Sequence, residues 1–397
     1  MQLDYSCTWR CRSHDHCFTY AEHPSGLHQK RRMKKMSSDE RWMHRALELA
    51  ARGRFTTWPN PMVGCVVVSE NRSIGEGWHA KFGHAHAEVN ALNQIHESVD
   101  LFGATAYITL EPCSHTGKTP PCADLLVSRG IGRVVVATMD PNPRVAGSGV
   151  SRLRSAGIDV QVGCLEQEAC FLNRAFMHAM TSTRPWVTLK WAESPDGFMD
   201  PEPEALFGRG SHMMTGRSSG RHTHGLRAQH DGILVGMKTW LVDSPSLTTR
   251  YVPGENPKRF VLTSGKTKWI DGAPQGAPGF ASLLCPKSQS ELPHMESWRK
   301  SGYEVIGLEK DIFSEQWWEN FKSQCGIAAC LVEGGSQMSQ GVLASNVWDE
   351  LHVLQSNKPL HQGLKASSQP LWPPHEIRAL DQDVLKVWRQ AQCETSC

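Results

Sequence analysis

From residue 38 to about 180, apolar positions recur in two alternating rhythms. In SDERWMHRALELAARG (38–53) they return every three or four residues, which predicts an amphipathic helix, and Ser37, Ser38 and Asp39 are its candidate caps. PMVGCVVV (61–68) is a continuous apolar run suited to a buried strand. HAEVNALNQIH predicts a second helix, ATAYITL a strand, PCADLLVSRG a helix closed by Gly130, and GRVVVATMD another strand. GVSRLRSAG and EQEACFLNRAFMHAM add further helices. This alternation predicts a mostly parallel sheet with helices on both faces.

TSTRP (181–185) breaks the helical pattern and places Pro185 ahead of a new strand, so it reads as a linker. WVTLKWA then opens a second α/β block, with strands expected at DGILVG, RFVLTS, YEVIGL, AACLVEGG and DELHVLQ and helices between them. DGAPQGAPGF (271–280) reads as a Gly/Pro-rich surface loop. Two domains are expected, 37–180 and 185–397, preceded by a segment 1–36 outside the fold.

Composition changes this picture little. The 397 residues are 39% hydrophobic and 21% charged, as in ordinary globular proteins. No apolar run approaches the ~20 residues of a membrane span, so no membrane partner is expected. The 42 basic and 40 acidic residues leave no electrostatic footprint for nucleic acid. Residues 1–36 hold seven of the basic and three of the acidic residues. They lack the apolar core of a secretory signal, and their acids and few serines fit a transit peptide poorly. The 13 cysteines, odd in number and without paired spacing, point to a reducing, cytoplasmic setting. CTWRCRSHDHC (7–17) has a superficial metal-ligand spacing, but no hydrophobic pattern flanks it to hold a site.

The chemistry concentrates at HAHAEVNAL (84–92) and LEPCSHTGKTPPC (110–122). Catalytic zinc takes three protein ligands and leaves a fourth position for water, and His86, Cys113 and Cys122 supply an imidazole and two thiolates. On an ideal helix Glu88 would lie about 200° round from His86, a poor fourth ligand but well placed to shuttle a proton to and from water that zinc has activated. Cys122 opens a helix after two prolines, where the helix dipole favours a thiolate. The order matches the H-x-E…P-C-x-x-C signature of zinc nucleobase deaminases. It departs in one respect: the second cysteine comes nine positions after the first rather than three.

TTWPNPMVGCVVV, GEGWHAKFGHAHAEVNAL, YITLEPCSHTGKTPPC and DPNPRVAGSGV together resemble the bifunctional riboflavin-biosynthesis deaminase/reductase family over nearly all of residues 40–180. The resemblance implies a cytidine-deaminase-like N-terminal domain that hydrolytically deaminates a small phosphoribosylated pyrimidine. Glu88 would be its catalytic residue and Zn2+ its metal. Asn60, His79, His115, Lys118, Asp140 and Asn142 would line its pocket.

In the second block no G-x-G-x-x-G follows a strand, so a Rossmann site is unsupported. LVEGGSQ does place two glycines between a strand and a helix, a turn that lets backbone approach phosphate. VTLKWAESPDG, GLRAQHDGILVGMKTWLVDSPSLTTR and LVEGGS resemble the reductase half of the same family, which implies a dihydrofolate-reductase-like C-terminal domain using NADPH. By that resemblance Ala192, Thr239, Asp243, Gly335 and Ser336 belong to the cofactor site. Lys190, Ser211, Arg227, Leu247, Arg250 and Glu333 belong to the substrate site, with Lys190 at the strand end. Met213 stands where the family usually has tryptophan, and FMDPEPEALFGRG is longer and more acidic than usual. A deaminase with a weakened reductase is therefore one alternative. Others are a nucleoside or tRNA deaminase with an appended domain, and a non-enzymatic zinc-stabilised binding module. The sequence leaves oligomeric state open, and a homo-oligomer stays among the expectations.

Overall fold

The computed structural model describes residues 36–114, 120–143, 145–201, 214–270, 272–309 and 311–391. The cysteine-bearing stretch 7–17, His115, Lys118, Ser211 and Met213 lie outside these residues.

Helix α1 (Ser38–Ala50) starts where the sequence places it. Ser37 Oγ accepts from Glu40 N–H at 3.1 Å, and Glu40 Oε2 accepts from Ser37 N–H at 2.7 Å, a reciprocal capping box. Its Met43, Ala46, Leu49 and Ala50 face inward. After it come β1 (Gly64–Ser69), β2 (Arg72–Trp78), α2 (Ala87–Leu92), β3 (Thr105–Leu110), α3 (Cys122–Ser128), β4 (Arg133–Thr138), α4 (Ser148–Ser155), β5 (Asp159–Val162), α5 (Glu166–Leu172) and α6 (Arg174–Thr181).

The first sheet has the order β2-β1-β3-β4-β5. It is mixed rather than mostly parallel: β1 runs antiparallel to both β2 and β3, and only β3, β4 and β5 are parallel. The cause is a tight hairpin at Glu70 and Asn71, with φ of 49° and 59°, which turns the chain straight back. Strand β2 was not expected, because Gly75 and Gly77 weaken its β pattern. Both serve packing: a Cβ on Gly77 would lie 2.3 Å from Ala87 O, so α2 crosses where side chains are missing. Helices do cover both faces. Met43, Ala46 and Leu49 pack on Val66, Tyr107 and Val135, while Leu92, Leu126 and Leu153 belong to the core of Val67, Ile108 and Val134.

The 181–185 junction is a packed joint. Arg184 pairs with buried Asp349 through two 2.7 Å bonds, and Arg174 with Glu350 at 2.8 and 3.0 Å. Lys322 Nζ donates to Ala179 O at 2.9 Å and Ser182 O at 2.7 Å, closing the end of α6. The described residues from Met36 onward form one compact unit.

The second half contains β6 (Trp186–Glu193), β7 (Phe198–Asp200), α7 (Arg217–Ala228), β8 (Gly232–Gly236), α8 (Met237–Asp243), β9 (Lys258–Leu262), β10 (Ala281–Pro286), α9 (Lys287–Ser290), α10 (Met295–Lys300) and β11 (Tyr303–Leu308). There follow α11 (Glu315–Cys325), β12 (Ala329–Val332), α12 (Ser336–Ser345), β13 (Glu350–Gln355), β14 (Leu364–Lys365), β15 (Glu376–Leu380) and β16 (Asp383–Arg389). Nine strands form one sheet, β11-β10-β9-β8-β12-β6-β13-β16-β15, parallel through β13 and antiparallel beyond. Trp317, Trp318 and Phe321 cover one face; Trp240, Trp298 and Tyr303 cover the other. The Gly/Pro-rich stretch is less superficial than its composition suggests, since Ala273 is buried in that second core and Phe280 packs on it.

Candidate active sites

His86 is the N-cap of α2, extended at φ −73°, ψ 166°, and not a helical residue. Its spacing to Glu88 is therefore not a helical angle: the imidazole precedes the helix and the carboxyl sits in its first turn. Cys122 is the first residue of α3, following Pro121 as cap, and Cys113 follows β3. The three ligand atoms lie within 4.8 Å of one another. His86 Nδ1 is 3.3 Å from Cys122 Sγ and 3.6 Å from Cys113 Sγ. A tetrahedral ion about 2.3 Å from sulfur and 2.0 Å from nitrogen requires N···S edges of about 3.5 Å. The cradle fits zinc.

Its electrostatics agree. Cys113 is pushed down, first by the hydrogen bond from the Cys122 thiol, while Cys122 is pushed up by the same contact. The two sulfurs thus hold one proton between them, which a divalent cation would displace. Glu88 is 3% exposed, and burial followed by the Cys113 charge raises its carboxyl to about 6.

Around the cradle, Asn60 Nδ2 meets His79 Nε2 at 3.2 Å, and His79 Nδ1 donates to Ala85 O at 3.1 Å. That second bond fixes Nε2 as the bare acceptor. The rings of His79 and His86 stand edge to face, 5.7 Å apart. Asp140 lines a small cavity with Cys113 and Ser148, and its Oδ1 accepts from Asn142 N–H at 2.8 Å. Sequence reasoning missed the residue that holds this loop. Buried Glu111 accepts backbone N–H from Asp140 (3.2 Å), Gly147 (2.9 Å), Gly149 (2.8 Å) and Val150 (3.1 Å). No sequence signal marks it, because its partners lie 29 to 39 residues on. Asn173 was missed likewise. It pairs with the N–H and C=O of Met62 at 2.8 Å each, fixing the turn after Asn60.

In the second half, Lys190, Arg227 and Glu333 come together. Arg227 grips Glu333 with bonds of 2.7 and 2.9 Å, and Lys190 Nζ lies 3.8 Å from the same carboxylate. Lys190 lies within β6 rather than at its end. Burial opposes Glu333's charge, but Arg227 and then Lys190 outweigh it and hold the carboxyl at about 2. Burial lowers Lys190, with Glu333 pulling it back up. Arg227 also donates to Thr248 O at 3.0 Å, which ties in the 244–250 loop. Arg250 on that loop is exposed, its guanidinium bonded to Ser246 and to Thr248 Oγ1 at 2.9 Å. His224, unforeseen, receives Arg250 N–H at 2.8 Å. The Leu247 side chain is 2% exposed, packed in the aromatic core at φ 50°, so only its backbone is available to a ligand.

Of the residues expected at a cofactor, Gly335 caps α12 and Ser336 begins it. A Cβ on Gly335 would lie 3.2 Å from Thr239 Oγ1, so the starts of α12 and the middle of α8 abut, with Asp243 ending α8. This glycine-lined helix start suits a phosphate. Ala192 lies on β6, packed against Leu354 and Leu385.

Comparison with known proteins follows the same two halves. Residues 36–138 match the cytidine and deoxycytidylate deaminase zinc-binding region, and residues 185–363 the RibD C-terminal domain. The riboflavin biosynthesis protein RibD of Aquifex aeolicus is 38% identical over 331 residues, covering 82% of this chain and 89% of that one. The chain belongs to the RibD family. The Actinobacillus pleuropneumoniae member is 37% identical over 355 residues, 88% of this chain and 91% of its own. Among solved structures, Acinetobacter baumannii RibD superposes with a TM-score of 0.75 at 32% identity, covering 89% of this chain and 99% of that one. The deaminase/reductase of Thermotoga maritima gives 0.71 at 34% identity with the same coverage. The chain is accordingly a bifunctional deaminase/reductase of riboflavin biosynthesis. The alternatives, a deaminase with a weakened reductase, a nucleoside or tRNA deaminase with an appended domain and a non-enzymatic zinc-stabilised binding module, are not favoured, because these relatives align through both halves. Among the described residues no helix is long and apolar enough to cross a membrane.

Proposed function

We propose that residues 37–180 deaminate 2,5-diamino-6-(5-phosphoribosylamino)pyrimidin-4(3H)-one and that residues 185–397 reduce the product's ribosyl group to ribityl with NADPH. The observation that supports the first step best is the buried Glu88 carboxyl beside a three-ligand cradle. Three protein ligands suit a catalytic zinc, whereas a structural site closes with a fourth. Zinc held by His86, Cys113 and Cys122 would supply Lewis acidity, which lowers the pKa of water to about 7. Glu88, buried two residues beyond the His86 ligand, can take a proton from the attacking water and return it to the amine that leaves as ammonia. Asn60, neutral His79, Asp140 and Asn142 then orient the pyrimidine, with His115 and Lys118 expected on the same pocket.

NADPH would supply the hydride of the second step. Thr239, Asp243, Ala192 and the Gly335–Ser336 turn would hold it, and Lys190, Arg227 and Glu333 would fix the sugar arm beside it. Arg250, an exposed guanidinium, suits the substrate's phosphate. Cytoplasmic location fits the free thiols that Cys113 and Cys122 must keep. A coupled assay on the purified chain decides the reading. Ammonia release and NADPH oxidation should run in sequence on the pyrimidine, and absence of either with intact zinc would refute that half.

A further inference from the structure

Residues 53–60 of the deaminase half touch both the deaminase pocket and the second half. At one end Asn60 meets His79, and Thr56 O accepts Phe82 N–H at 2.9 Å while Thr56 Oγ1 donates to Ala80 O at 2.6 Å. Trp58 packs on Trp186 at the start of the second half. Phe55 reaches α7. A Cβ on Gly225 would lie 3.0 Å from Phe55 Cε1 and 3.4 Å from Cζ, so the ring rests against the helix where a side chain is missing. At its backbone, a Cβ on Gly254 would come 2.4 Å from Phe55 O and 2.8 Å from Ala228 Cβ. Phe55 is wedged between α7 and the 254 turn.

Helix α7 carries His224 and Arg227. Gly225 and Ala228 are three apart and share the face turned to Phe55, while Arg227 reaches Glu333 and Thr248 O. His224 holds the backbone of Arg250. Arg227, which would grip the reductase substrate, therefore hangs from a helix that rests on a ring from the other half.

We propose that Phe55 is a positioning residue of the reductase site: its ring sets how deeply α7 seats and thereby places Arg227 against Glu333. The inference rests on the reading of Arg227 and Glu333 as substrate-binding groups. Packed interiors transmit such displacements, and misplacing a gripping group by a fraction of an ångström is costly.

The test is steady-state kinetics of the full chain on the deaminated pyrimidine, with ammonia release as internal control. Phe55→Ala should raise the reductase KM for the pyrimidine about tenfold, leaving the NADPH KM and ammonia release unchanged. Gly225→Ala attacks the same contact from the other side. Its methyl presses on the ring while alanine favours the helix, so KM should rise about threefold without any fall in thermal stability. A merely structural role predicts less folded enzyme at unchanged KM. Arg227→Lys serves as the reference. If it leaves KM unchanged, the substrate-site reading fails and this inference with it. If it raises KM while Phe55→Ala does not (or Gly225→Ala, should the first variant not fold), the inference alone is overturned.

Discussion

The two candidate sites are built by opposite means. The deaminase cradle would use three ligands and a base from two short stretches, 86–88 and 113–122, with His86, Glu88 and Cys122 at helix starts and Cys113 just after β3. The reductase cluster draws Lys190 from mid-β6, Arg227 from α7 and Glu333 from the end of β12, joining them only by buried ion pairs. Local backbone geometry suffices to aim the first set. The second exists only once the parallel sheet is complete, since nothing near Glu333 in sequence neutralises it. The metal site is thus a local device carried by the fold, and the ion cluster is a property of the fold as a whole.

The largest expected effect tests the local device. Glu88→Gln should lower ammonia release about 10³-fold or more while zinc content, and NADPH oxidation on the deaminated pyrimidine, stay unchanged, because it removes a proton carrier and touches no ligand. Metal analysis beside an ammonia assay reads this. Zinc loss in the variant would mean that Glu88 belongs to the ligand set after all.

Glu333→Gln is the counterpart for the distributed site. It leaves Arg227 and Lys190 nearly buried without their counter-charge, which costs about 3–5 kcal/mol. Reductase activity should vanish first and global stability should fall with it, unlike Glu88→Gln, which should spare the fold. The pH dependence has a definite sign. The folded pKa of about 2 lies below the ordinary glutamate value, so the contribution is complete above about pH 4.3 and lost as pH falls toward 2. Between pH 7 and 5 wild-type reductase should therefore show no loss from this carboxyl. A KM for the pyrimidine that rises through that window in the wild type but not in Glu333→Gln would show the cluster to be weaker than its geometry implies.

What could be read beforehand follows the same division. Ser37, His86, Cys113 and Cys122 announce themselves because short-range patterns specify what they do. Strand β2 did not, because the glycines that admit α2 also erase its alternation. The sheet's antiparallel edge was hidden by a two-residue hairpin at Glu70 and Asn71 that carries no glycine. The 181–185 segment looks like a spacer, since its rigidity comes from Asp349, Glu350 and Lys322 far along the chain. Leu247 aligns with a substrate position, yet its side chain is claimed by the aromatic core. Glu111 is the sharpest case: one acid at a strand end, gathering four N–H groups from a loop that the sequence shows only as polar. Glu111→Gln turns an amide N–H₂ toward donors that need an acceptor, at a cost of about 1–3 kcal/mol. The 140–150 loop should loosen, raising the deaminase KM about tenfold with zinc retained and the reductase untouched. An unchanged KM would mean that this loop does not bear on substrate.

The smallest effect asks whether the two halves, so differently built, still fold as one. Ser37→Ala removes the side-chain half of the capping box and should cost about 1 kcal/mol. Helix α1 carries no residue of either site, and it is seated firmly: Arg133 holds Asp39 in its first turn through bonds of 3.0 and 2.8 Å. Both activities should accordingly be normal in the absence of denaturant. The joint made by Arg184–Asp349, Arg174–Glu350 and Lys322, together with Phe55 on α7, makes separate unfolding costly, because opening it would strip buried Asp349 of Arg184 and leave Glu350 with Arg389 but without Arg174. In a urea titration the midpoints for ammonia release and NADPH oxidation should therefore shift down together, with an unchanged slope. A shift confined to ammonia release would show that the deaminase half melts by itself, and that the interface couples the sites without coupling their stability.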